Sequence, residues 1–128
     1  MSVARPLVSA KQVYARLTSV RRARQEHFVV FCLNTRGFPI RRQLVSVGTA
    51  NQTLVHPRDV FYPAILNNAT SVIVAHNHPS GMSEPSDEDI GITGRLVEAG
   101  RVLGIDVWDH IIVAEGSFTS LREAGLMR

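Results

Sequence analysis

Apolar residues change their spacing several times along this chain, and each change marks an element. Near the start they recur three and four apart: Ala10, Val13, Tyr14, Leu17 and Val20 make one stripe behind a capping Ser9, which predicts a helix over 9–21. Past a polar connector, His27-Phe28-Val29-Val30-Phe31-Cys32-Leu33 is apolar at consecutive positions, as a central strand covered on both faces must be. Asn34-Thr35-Arg36-Gly37 reads as a turn, 40–47 as a second strand closing a hairpin with the first, and Gly48-Thr49-Ala50-Asn51 as a loop. His56-Pro57 opens a second helix with proline at its favoured first position, running through Phe61, Ala64, Ile65 and Leu66 to Asn67-Asn68. The short β-branched run Ser71-Val72-Ile73-Val74-Ala75 predicts a buried strand ending at His76. Ser86 then caps a helix to residue 103, with Ile92, Leu96, Ala99 and Leu103 inward and Arg95, Glu98 and Arg101 outward. Strands are expected at 105–114 and 117–121. The order α, β, β, α, β, α, β, β predicts an α/β fold, a mixed sheet flanked by helices.

Composition narrows the class. At 128 residues the chain is expected to be one domain, 1–128, and its 45% hydrophobic and 20% charged fractions are ordinary for a globular protein. No run of eighteen apolar residues occurs, and Met1-Ser2-Val3-Ala4-Arg5-Pro6 lacks the apolar core of a signal peptide. A single cysteine, Cys32, sits in an apolar run, which fits a reducing compartment; a cytoplasmic location without a membrane partner is the expectation. Charge is uneven. Residues 1–60 hold ten Lys/Arg against two Asp/Glu, and residues 61–128 hold four against nine. The basic residues cluster between Arg21 and Arg42. A solvated face is the plain reading of that region, and DNA or an acidic partner is the functional one.

The chemistry concentrates at 76–89. Strand side chains alternate, so His76 and His78 present both imidazoles to one side. Counting back along the helix stripe from Leu96 places Asp89 and Ser86 inward and Glu88 outward. Ser86 and Asp89 also spell a capping box. An acid on an apolar face needs a partner, and the neighbouring imidazoles point to a metal as that partner. Two histidines, one carboxylate and a water form the ligand set of a catalytic zinc site, or the facial triad of a non-haem iron enzyme. Such a site needs a base, and Glu26, His56, Asp109 and His110 are the candidates that spacing leaves open. A lone cysteine is too few for a deaminase zinc site, and the His-Glu-x-x-His helix of thermolysin-type enzymes is absent.

His76-x-His78, seven residues, Ser86-x-x-Asp89 resembles the JAMM motif of MPN-domain metalloproteases. His56-Pro57-Arg58-Asp59, Leu66-Asn67-Asn68-Ala69, Ala75 to Gly81, Asp109-His110-Ile111-Ile112-Val113 and Ser120-Leu121-Arg122-Glu123 further resemble the bacterial RadC family, over roughly residues 9–126. The resemblance implies an α-β-α sandwich distantly like cytidine deaminases. It implies one zinc ion per chain on His76, His78 and Asp89, with Glu26 as the base and Ser86 holding water or the developing oxyanion. It implies a zinc-dependent hydrolase of amide bonds, peptide or isopeptide-like, with a protein or peptide substrate; the alternative, from the family's DNA-repair label, is a metal-dependent DNA-processing or DNA-binding factor. The family's helix-hairpin-helix region has no counterpart in these residues, which weakens the expectation of direct DNA binding.

Overall fold

The computed structural model describes residues 6–7, 9–48 and 55–127. Its elements are α1 (Ala10–Ala15), α2 (Thr18–Arg21), β1 (Glu26–Leu33), β2 (Pro39–Gly48), α3 (Pro57–Leu66), β3 (Ser71–Asn77), α4 (Asp87–Leu103), β4 (Asp106–Ala114) and β5 (Ser117–Ser120). The five strands form one mixed sheet in the order β2-β1-β3-β4-β5. β3 and β4 run parallel, joined through α4, and the other neighbours are antiparallel. Most of the expected loop at 48–51 and the amino-terminal stretch 1–5 lie outside the described residues.

Strand alternation sorts the core into two layers of packing. Phe28, Val30, Cys32, Val72 and Val74 face α3 and α4, meeting Val60, Phe61, Ala64, Ile92 and Leu96. Val29, Phe31, Leu33, Ile73, Ala75, Ile111 and Val113 face the other way, against Ala10, Val13, Leu17 and Val20. The result is the expected three-layer arrangement, with consecutive apolar residues in β1 and β3 because both of their faces are covered. Cys32 is fully buried between them.

Two helix expectations change. The helix predicted over 9–21 is broken: α1 ends at Ala15, Arg16 caps it, and Leu17 adopts φ −112°, ψ 36° before α2. The apolar stripe survives the break, since Leu17 and Val20 are still buried. In α4, Leu103 is 48% exposed rather than inward, and Gly100 is buried in its place. A side chain at Gly100 would run into the carbonyl oxygen of Ile105, so the chain returning from α4 crosses that helix where there is no Cβ.

Candidate metal centre

Alternation also decides what meets at the end of the sheet. Residues 28, 30 and 32 of β1 and 72 and 74 of β3 face α4, so Glu26 and His76 share that side. His76 lies opposite Phe28 in the ladder, and their rings stack at 5.7 Å. His78 leaves the strand with its N–H on the Val113 carbonyl, and the chain then turns through Gly81 at φ 89°. α4 starts beyond that turn. Ser86 is its N-cap: the Oγ accepts from the Asp89 N–H at 3.1 Å, and Asp89 Oδ2 accepts from the Ser86 N–H at 2.8 Å. This capping box delivers the Asp89 carboxylate, 2% exposed, to the two imidazoles.

The donor atoms converge closely. His76 Nε2 lies 3.1 Å from His78 Nε2 and 3.1 Å from Asp89 Oδ1, and His78 Nε2 lies 3.2 Å from Asp89 Oδ2. Ligands held tetrahedrally at zinc bond lengths stand about 3.3 Å apart, so these separations fit one small divalent ion. Glu26 Oε1 is set further out, 4.0 Å from His78 Nε2. Ligand atoms of Glu26, His76 and His78 all fall within 4.8 Å of one another.

Hydrogen-bond directions fix which ring nitrogens carry lone pairs. The Thr93 hydroxyl donates to the Asp89 carbonyl at 2.8 Å, so it can only accept from His110 Nδ1, at 2.5 Å. His110 is fully buried, and burial holds its pKa well below the ordinary value, so the ring is neutral and its Nε2 is an acceptor. That nitrogen sits 2.9 Å from His76 Nδ1, which must therefore be the N–H. His78 Nδ1 faces the Met82 carbonyl at 2.9 Å and is likewise the N–H. Both Nε2 atoms are left with lone pairs aimed at each other and at a carboxylate. Two ring nitrogens and two carboxylate oxygens so placed repel unless a cation lies between them. In the metal-free chain a proton on Nε2 can take the cation's place and be donated to Asp89. The hydrogen bond to Asp89 raises the His78 pKa against its partial burial. Burial pushes the Asp89 carboxyl up, but the histidine hydrogen bonds outweigh it and leave the acid below the usual carboxylate range.

The remaining candidates separate. Asp109 serves the sheet's far edge, accepting from the His110 and Arg122 N–H groups and from the Ser120 hydroxyl at 2.6 Å. His56 is the N-cap of α3: its carbonyl accepts from the Asp59 and Val60 N–H groups, its side chain makes no capping bond, and among the described residues it joins none of the contacts above. Ser86 is exposed rather than inward, because an N-cap has extended backbone, here φ −86° and ψ 169°, and the helical count does not reach it. The arginines of 21–42 make different contacts. Arg21, Arg22 and Arg24 lie beside His78, whereas Arg42 donates to the Arg16 carbonyl and Arg36 covers Phe38. Thr93 joins the site as well: its position four residues after Asp89 puts a polar group on the buried stripe.

A mixed sheet between helices, carrying an imidazole pair and a helix-borne carboxylate at the end of a central strand, defines a JAB-type α/β domain. The RadC-like JAB domain model matches residues 7–126, and the chain belongs to that family. A UPF0758 protein of Methanosarcina barkeri is 44% identical over 125 residues, covering 97% of this chain and 55% of that protein. One from Rubrobacter xylanophilus is 55% identical over 103 residues, covering 80% and 45%, and one from Shouchella clausii is 47% identical over 123, covering 94% and 54%. The chain thus spans about half the length of these relatives. Among the described residues, no helix is long and apolar enough to cross a membrane.

Proposed function

We propose that this chain is a metal-dependent hydrolase of the JAMM type, with zinc as the ion, acting on an amide bond of a peptide or isopeptide-like substrate. The observation that carries the reading is the set of three donors, His76 Nε2, His78 Nε2 and the Asp89 carboxylate, 3.1–3.2 Å apart with both imidazole lone pairs turned inward. These three residues would hold the ion. When bound, it supplies positive charge that acidifies a water and polarises the substrate carbonyl.

The chain's own residues do the rest. Glu26, 22% exposed at its side chain and 4.0 Å from His78 Nε2, stands beyond bonding range of the donor triangle but within reach of a water placed against it. It takes the proton from that water and returns it to the leaving amine. The Ser86 oxygen is occupied as an acceptor from the Asp89 N–H, which leaves its single proton for the developing oxyanion. Phe28, stacked on His76 and edge-on to His110, gives the imidazoles a dry floor. Glu26→Gln tests the assignment: it should retain zinc while losing about 10²–10⁴-fold in turnover of a peptide selected from a library in the presence, but not the absence, of metal. Undiminished turnover would remove Glu26 from the base's role.

A further inference from the structure

The connector between α2 and β1 runs beside the candidate centre, and Asn77 holds it there. Asn77 lies between the two histidines but points to the opposite face of the sheet, fully buried. Its Nδ2 donates to the Ala23 carbonyl at 3.2 Å and the Gln25 carbonyl at 3.1 Å, and its Oδ1 accepts from the His27 N–H at 2.6 Å. One amide therefore fixes the segment carrying Arg22 and Arg24 in register with the strand carrying His76.

That segment lines an open cleft of about 560 Å³ formed by Arg21, Arg22, Arg24, His78, Pro79 and Glu115, among others. Three cations face one anion. Arg21 is fixed by stacking on Tyr14 at 4.1 Å, and its buried Nε has no hydrogen-bond partner among the described residues. Among the described residues Arg22 makes a long, exposed pair with Glu115, 3.6 Å, which solvent screens. Among the described residues Arg24 is exposed and pairs with no carboxylate. His78 borders both this cleft and the donor triangle, so whatever occupies the cleft lies next to the reacting bond.

We propose that this cleft is a subsite for a substrate carboxylate, so that the chain selects amide bonds in acidic peptide segments. The inference rests on the amide-hydrolase reading above. Guanidinium groups suit carboxylates, which they can grip through paired N–H donors. A nucleic acid fits less well. Among the described residues the cleft offers no phenyl or indole face on which bases could stack.

Fluorescence anisotropy tests this with the intact chain and labelled nonapeptides identical except for Glu, Gln or Lys flanking the central bond. The Glu peptide should bind about 5–10-fold tighter than the Gln peptide, lose that margin as salt rises, and fall to the Gln level in R22Q/R24Q. Equal binding of Glu and Gln peptides, or a preference that survives in R22Q/R24Q, would overturn the subsite. A single-stranded oligonucleotide of equal charge that binds tighter than the Glu peptide, and is released by the same substitutions, would overturn the peptide assignment. Charge-selective binding without cleavage of any peptide by the zinc-loaded chain would instead count against the hydrolase reading and leave the subsite standing.

Discussion

Thr93 touches no ligand nitrogen, yet it should control how tightly metal is held. In Thr93→Val the shape is kept and the acceptor for His110 Nδ1 is lost. His110 then has two choices. It can keep its proton on Nδ1, buried and unpaired, at a cost of about 1–3 kcal/mol. Or it can move the proton to Nε2, 2.9 Å from His76 Nδ1, which drives the His76 proton to Nε2, where Asp89 Oδ1 accepts it at 3.1 Å. The metal-free protein takes the second course at little loss. Metal binding must reverse it, because a protonated Nε2 cannot be a ligand, and the whole cost then falls on affinity. The expected weakening is the same 1–3 kcal/mol, about 5–150-fold, close to the range for loss of an outer partner of a metal ligand. Competition against a chromogenic chelator measures it, and ¹⁵N shifts of the imidazoles report which nitrogen is protonated. Thr93→Ser, which keeps the hydroxyl, should remain near the parent. Wild-type zinc affinity in Thr93→Val, with His76 still protonated at Nδ1, would refute the proton wiring.

Other consequences follow from the core. Gly100→Ala would push a Cβ into the Ile105 carbonyl and to 3.3 Å from Phe61 Cζ, so unfolding stability should drop by about 1–3 kcal/mol; an unchanged urea midpoint would contradict the close crossing. Burial lifts the Cys32 thiol from 9.0 to about 11, against a smaller pull from Arg41, so a thiol reagent at pH 8 should label it only in denaturant; rapid labelling of the native chain would show the core is open. Because that value is raised on folding, the unfolded thiol ionises first, and stability should be whole below pH 9.0 and decline as pH climbs toward about 11.

The convergence of His76, His78 and Asp89 was legible because it rests on two simple periods. A residue spacing of two put His76 and His78 on one side, and a helical count from Leu96 put Asp89 inward. What surrounds it was less so. His110 reaches His76 only because β4 carries a bulge: Val72 pairs with Val107 but Ile73 with Asp109, so Trp108 is an extra residue and the strand changes phase. Unbroken alternation from Val107, which packs towards α4, would send His110 to the opposite face, and nothing in Val107-Trp108-Asp109 announces the slip. The break after α1 was equally silent, with no glycine or proline at Arg16-Leu17, because the apolar stripe resumes in step on the far side. Gly100 could be told from Leu103 only by the path of the returning strand. Thr93 alone left a readable trace, a hydroxyl on the buried side of a helix.

All of the chemistry depends on His76, His78 and Asp89 sharing a cation. Zinc titration of chelator-stripped protein, followed by calorimetry, measures this directly, with Asp89→Asn as the companion because it preserves the helix cap's acceptor. The expected result is one tightly bound ion per chain, weakened in Asp89→Asn beyond the about 10–100-fold typical of an outer partner. Saturable zinc binding that is absent from the parent chain, or that survives unchanged in Asp89→Asn, would contradict it.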